Sequence, residues 1–248
     1  MIFGNFFSKN FSFDISKWSS PLSDWKTGIV IVAYFCLNCF LPLCFELLEL
    51  QLTVAPITAF LLVWFYLYFS DGKIPEICSF QKPKQGESVK IIIAVLLSLL
   101  LCFIFNYWSG EFFRWIGLSV AEEQWLTGTL KDSSLPAMII IGFKTIVLAP
   151  IGEEIVFRRF LYGILSPLGA PKALLLTSFL FSIAHFYPVG IPGLFFFAMI
   201  LQLIYLNTRN ILCPIQVHVV FNTLSFISVL AGRSWRNKWN GNEKELVF

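Results

Sequence analysis

The chain has 248 residues, of which 57% are hydrophobic and only 13% charged, with a mean hydropathy of +0.75. A soluble domain carries about 25% charged and 45–50% apolar residues, and a single core at this length could not enclose the excess. The formal net charge of +3 is too small to argue for a nucleic-acid partner. The bilayer is the solvent that this composition fits.

Taken in chain order, residues 1–20 lack the charged start, apolar centre and cleavage site of a signal peptide. Their aromatic and lysine pattern suits an interfacial segment. A spanning helix needs about 20 mostly apolar residues, which predicts spans at 28–48, 52–69, 90–107, 136–152, 172–187, 191–207 and 211–230. Polar segments at 71–89 and 108–135 interrupt them, and an eighth span within 108–128 is the variant that puts the basic C-terminal tail on the cytoplasmic side. With a cytoplasmic N-terminus, eleven Lys and Arg fall on the inner side and six on the outer, the orientation that the distribution of basic residues favours. The expected fold is all-α, a polytopic transmembrane bundle of seven or eight spans with its active site inside the bundle. Its expected parts are 1–135 (interfacial segment and first three spans), a core at 136–230 and a basic polar tail at 231–248. Of the six cysteines, Cys36 and Cys39 are followed by no matching second pair, and a cysteine in an apolar run reads as a buried free thiol.

Ionisable groups within the bilayer cost about 2.5–3.5 kcal/mol each on insertion scales and are functional candidates by default. Here they cluster in three places: Gly152-Glu153-Glu154-Ile155-Val156-Phe157-Arg158-Arg159, Phe181-Ser182-Ile183-Ala184-His185, and His218-Val219-Val220-Phe221-Asn222. The chain has only two histidines, and both lie in late apolar segments. Glu154 and Arg158, four residues apart, share a helix face and can pair, whereas Glu153 points about 100° away. His218 and Asn222 share a face by the same spacing. Packing these helices together gathers a carboxylate, two imidazoles and an amide. A carboxylate in a low-dielectric pocket is a good general base for water. A neutral imidazole can share that water or bind a metal, and paired donors can hold an oxyanion. No GxSxG-type nucleophile motif is present, which favours water attack over covalent catalysis. The cluster is expected near the cytoplasmic membrane face, with Arg159 as a cytoplasmic anchor, Lys144 structural or snorkelling, and Phe181 packed beneath the site.

The three elements, EExxxR at 153–158, FxxxH at 181–185 and HxxxN at 218–222, resemble in type and order the CPBP family of CAAX proteases and bacteriocin-processing (Abi) enzymes. Tyr205–Ile211 resembles the stretch before the family's third motif, and the resemblance spans residues 136–230. It implies an intramembrane endopeptidase that hydrolyses a hydrophobic or lipidated, membrane-associated peptide. In that case Glu153 activates water with His185, and His218 and Asn222 form the oxyanion hole. Glu154 and Arg158 are a supporting pair. Zinc on Glu153, His185 and His218 and metal-free glutamate chemistry both stay open, since the HExxH arrangement is missing. Beside the peptidase stand two other expectations: a non-proteolytic immunity or scaffold protein of the same family, and a transporter. The transporter lacks the matching pair of Gly/Pro-broken helices that repeat-built carriers show. A bacterial plasma membrane is the expected location.

Overall fold

A computed structural model describes residues 83–84, 86–117 and 134–245, with side chains described as far as Gly232. The expected spans at 28–48 and 52–69, the interfacial start and most of the segment 108–135 lie outside the described residues. Within them every regular element is helical. Four helices are long and apolar enough to cross a bilayer: α1 (Glu87–Trp115), α2 (Leu135–Leu168), α4 (Ile191–Thr208 with a preceding 3-10 turn, Pro188–Gly190) and the Leu212–Gly232 part of α5 (Leu212–Glu245). This is an integral membrane protein, and only helices with internally satisfied backbones suit that solvent when no barrel is formed.

Two expectations about spans change. The apolar run at 172–187 yields α3 (Ala170–Ile183), 14 residues long, or about 21 Å at the α-helical rise, short of a 30 Å hydrocarbon core. It ends because Ala184 and His185 turn out of the helix and Phe186 takes a left-handed conformation (φ 48°) before Pro188. Conversely, the helix expected to stop at 152 runs on to Leu168. The charges at 153–159 do not break it, because Glu154 and Arg158 neutralise each other inside the protein. Glu153 is therefore the nineteenth of 34 residues, near the middle of α2 rather than at the end of an apolar helix. Arg159 is likewise no surface anchor, being only 6% exposed.

The geometry of α2 is irregular where the chemistry lies. Pro150 lacks the N–H that a regular helix would use and crowds the preceding turn. A π-helical stretch, Lys144–Leu148, absorbs that defect just before it. A second, Ile155–Leu161, follows Glu154 directly. Wide turns of this kind recur at functional sites.

Helices α1 and α4 pack antiparallel. Along α1 and α4, Lys90 Nζ donates to Asn207 Oδ1 (2.6 Å), Cys102 Sγ to the Gly193 carbonyl (3.3 Å), and Phe105 stacks on Phe196. Cys102 and Cys213 are buried free thiols, as their apolar runs suggested. Arg209 closes α4 in the left-handed region (φ 56°), and Asn210 Oδ1 accepts from the Leu212 N–H (3.0 Å) to start α5. The main core joins Val95, Val156, Phe157, Phe160, Phe181, Phe197, Leu201 and Val217, from all five helices. Large apolar residues along α1, such as Ile92, Leu96, Phe103 and Trp108, remain exposed, a surface suited to lipid.

The turn that carries His185 is held by a close approach. A Cβ on Gly190 would stand 2.1 Å from Cδ1 of the Tyr187 ring. Gly190→Ala must displace that ring, and overpacking of this kind costs about 1–3 kcal/mol. We expect a lower midpoint of thermal unfolding in detergent; an unchanged midpoint would show that the turn has slack.

Candidate active site

The site is built from α2, the turn after α3, and α5. Its deepest layer is ionic. Arg158 Nε donates to Glu154 Oε2 at 2.8 Å and Arg158 Nη2 to Glu154 Oε1 at 3.4 Å, and both side chains are fully buried. The spacing of four within one helix made this pair legible. The third partner comes from 64 residues away: His218 Nδ1 lies 2.9 Å from Glu154 Oε1. Phe181 sits at the centre of the layer, with the Arg158 guanidinium 4.9 Å from its ring centroid. It also meets Phe157, His185, Phe197 and His218 at centroid distances of 5.0, 4.7, 6.3 and 6.0 Å. Phe197 meets His218 edge-on at 5.0 Å. Aromatic walls exclude water from the pair and hold both imidazole rings in place.

Above this layer stands Glu153. Its Oε2 is buried without a hydrogen-bond partner, and lies 4.0 Å from His185 Nε2 and 3.9 Å from His218 Nε2. The structure thus brings together Glu153, Glu154, Arg158, Phe181, His185 and His218. The Glu153 and His185 side chains are 21% and 33% exposed, against 0% and 4% for Glu154 and His218. The cluster is therefore partly exposed on the His185 and Glu153 side and sealed around Glu154.

Asn222, one turn beyond His218 on α5, donates from Nδ2 to the Thr145 carbonyl (2.9 Å) in the first π-helical stretch. One amide N–H is committed there, and an amide nitrogen carries two. Neither Thr145 nor the link from His218 to Glu154 was legible in the sequence. A carbonyl freed by a wide helical turn leaves no mark on residue type, and a contact between helices leaves no periodicity.

Two imidazoles and a carboxylate form a donor set that zinc accepts, but the spacing does not suit it. With bonds of about 2.05 Å, separations of this size give angles of about 145–155° at the metal, far from tetrahedral. Among the described residues no group of three His, Cys, Asp or Glu side chains is set to hold a metal ion. An oxygen atom about 2.8 Å from Glu153 Oε2 and from either Nε2 would instead subtend about 90°, within the range of a hydrogen-bonded water.

The fold and site define an integral membrane protein with a glutamate–histidine centre enclosed by helices. Residues 133–224, which carry every side chain of that centre, match the family model of the type II CAAX prenyl endopeptidases (Rce1-like). The match supports the CAAX protease family, as the three motifs implied, and at that level an intramembrane protease. A relative from Escherichia coli, described as an uncharacterized 24.3 kDa protein, is 24% identical over 178 residues, covering 65% of this chain and 80% of its own. No solved structure matches the chain significantly.

Removing one partner of a buried pair strands the other charge, at a cost of about 3–5 kcal/mol. Arg158→Ala and Glu154→Ala should therefore both lower the yield of folded protein and its unfolding temperature, as read by size-exclusion chromatography after heating. Wild-type behaviour of either variant would mean that the pair is dispensable to the fold.

Proposed function

We propose that this protein is an intramembrane endopeptidase that hydrolyses a peptide bond of a membrane-associated substrate with water activated by Glu153. The observation that carries the reading is the buried, unpartnered Glu153 Oε2 between two imidazole Nε2 atoms. A purely structural carboxylate at this depth would be paired, as Glu154 is. In the proposed reaction the water oxygen attacks the carbonyl carbon while Glu153 takes a proton from it and His185 accepts its other hydrogen. The tetrahedral oxyanion is met by Asn222, which keeps one N–H beyond its bond to Thr145, and by His218 in the role the resemblance assigns. When the C–N bond breaks, Glu153 returns the proton to the leaving amine.

The exposed apolar flank of α1 and the buried position of the site favour a hydrophobic or lipidated peptide that reaches it from the bilayer. The relative in Escherichia coli favours a bacterial plasma membrane. A binding-only immunity or scaffold protein would have no use for an unpaired Glu153. The spacing of the three side chains favours chemistry without a metal.

Glu153→Gln should abolish cleavage of a fluorogenic membrane peptide while leaving expression and unfolding temperature at wild-type values. Near-wild-type turnover would remove Glu153 as the base. Activity should survive a strong chelator; loss that zinc restores would replace water activation by Glu153 alone with zinc on Glu153, His185 and His218.

Asn222→Ala should lower kcat by about 10²–10³, the usual effect of losing one oxyanion donor, with little change in KM. A change confined to KM would give Asn222 a substrate-holding role instead.

A further inference from the structure

The turn that carries His185 holds a strained residue at the edge of the site. Helix α3 gives way at Ala184, the Phe186 N–H donates to the Ile183 carbonyl (3.1 Å), and Phe186 takes φ 48°. A left-handed residue just past a helix end is most often glycine, because a Cβ crowds the backbone there. A bulky residue in that conformation is an outlier. Among the described residues one other non-glycine residue has a positive φ, Arg209 at the end of α4, where a cation gains from the helix dipole. Phenylalanine has no such gain. The surroundings nonetheless enforce the conformation. Pro188 holds Tyr187 extended (φ −119°, ψ 87°), and the Gly190 N–H donates to the Tyr187 carbonyl (2.9 Å). The Tyr187 ring lies over Gly190, and Val189 is buried beside Gly110 of α1.

What the strain secures is the placement of one ring. Phe157, Phe181 and Phe197, which wall the ionic layer, are at most 1% exposed, whereas Phe186 is 49% exposed. It follows His185 directly, on the side where the cluster is itself partly exposed. Tyr187 folds back on the turn, so Phe186 is the large aromatic group that the turn leaves outward. Strained residues of this kind gather at active sites and ligand clamps. Resting on the peptidase reading, we propose that Phe186 is a substrate-binding residue whose ring forms one wall of a subsite for an apolar side chain next to the scissile bond. Glu153 and His185 then act on water, and Phe186 holds the peptide beside them. Such a contact is made in the ground state and the transition state alike, so it acts on KM rather than on kcat.

Phe186→Gly tests the proposal in the full-length protein in lipid nanodiscs, because glycine fits the left-handed turn without strain. For a fluorogenic membrane peptide with leucine on both sides of the scissile bond, KM should rise about 10-fold, the usual worth of an apolar contact in a pocket, with kcat nearly unchanged. Replacing each flanking leucine by alanine in turn should give one peptide that shows no such penalty. Phe186→Leu, which returns an apolar side chain to the same backbone, should recover most of the lost affinity. An unchanged KM, or an equal penalty on every peptide, would overturn the proposal. So would a fall in kcat alone, which would make Phe186 a prop for His185. If Phe186→Gly does not fold, Phe186→Ala carries the same measurements. Binding of the leucine peptide to the Glu153→Gln protein, read by fluorescence anisotropy, separates this inference from the peptidase reading. Adding Phe186→Gly should weaken that binding about 10-fold. Equal binding with and without the ring would sink the inference and leave the peptidase standing. Ring-dependent binding by a wild-type protein that cleaves no peptide would remove the peptidase and keep the subsite.

Discussion

The buried carboxylate of Glu154 is the constraint on which the rest of the site depends. Within α2 it neutralises Arg158, which lets a helix carry charge through the protein interior. Across the bundle it holds His218, which ties α2 to α5. Two charges removed from water repay their desolvation only with good geometry and further hydrogen bonds. Here two bonds from the guanidinium and one from the imidazole supply them. The aromatic layer of Phe157, Phe181 and Phe197 keeps the surroundings dry, which strengthens each of these contacts.

Once Glu154 is committed, its neighbour is free. A helix sends adjacent residues in directions about 100° apart, so Glu153 leaves the ionic layer and meets the two Nε2 atoms. The division of labour between two adjacent carboxylates thus follows from helical geometry and from what each one faces. The same logic sets the exposure gradient. Glu154 is sealed, and Glu153 lies on the side that His185 leaves partly open.

Much of this was legible in the chain because the residues are rare. Two histidines and a double glutamate in apolar runs stand out, and the i, i+4 spacings of Glu154 with Arg158 and of His218 with Asn222 describe helix faces directly. The order of the motifs added a family, and the structure brings Glu153, Glu154, Arg158, Phe181, His185 and His218 together, with Asn222 bonded to the Thr145 carbonyl. Span limits were less legible. A window of hydropathy treats Glu153, Glu154, Arg158 and Arg159 as the end of a membrane helix, since it cannot see that two of them cancel within the fold. It also extends α3 through His185, because Ala184 and Phe186 are apolar although the backbone turns there. The contact between His218 and Glu154 and the bond from Asn222 to Thr145 join distant positions, 64 and 77 residues apart, and leave no local pattern.

The two wide turns in α2 bear on how relatives of different length should be compared. A π-helical turn carries one residue more than an α-helical turn between the same two points. A single residue could therefore be lost at 144–148 or, beyond Arg158, at 159–161 while the flanking helix kept its direction and the Glu153-Glu154 pair its outlook. Insertions and deletions are usually assigned to surface loops, yet in this helix the places that tolerate a change of length lie within a candidate membrane span, on either side of the two glutamates. An alignment that forbids a gap at 144–148 would slide the segment before it out of step with Glu153 and Glu154.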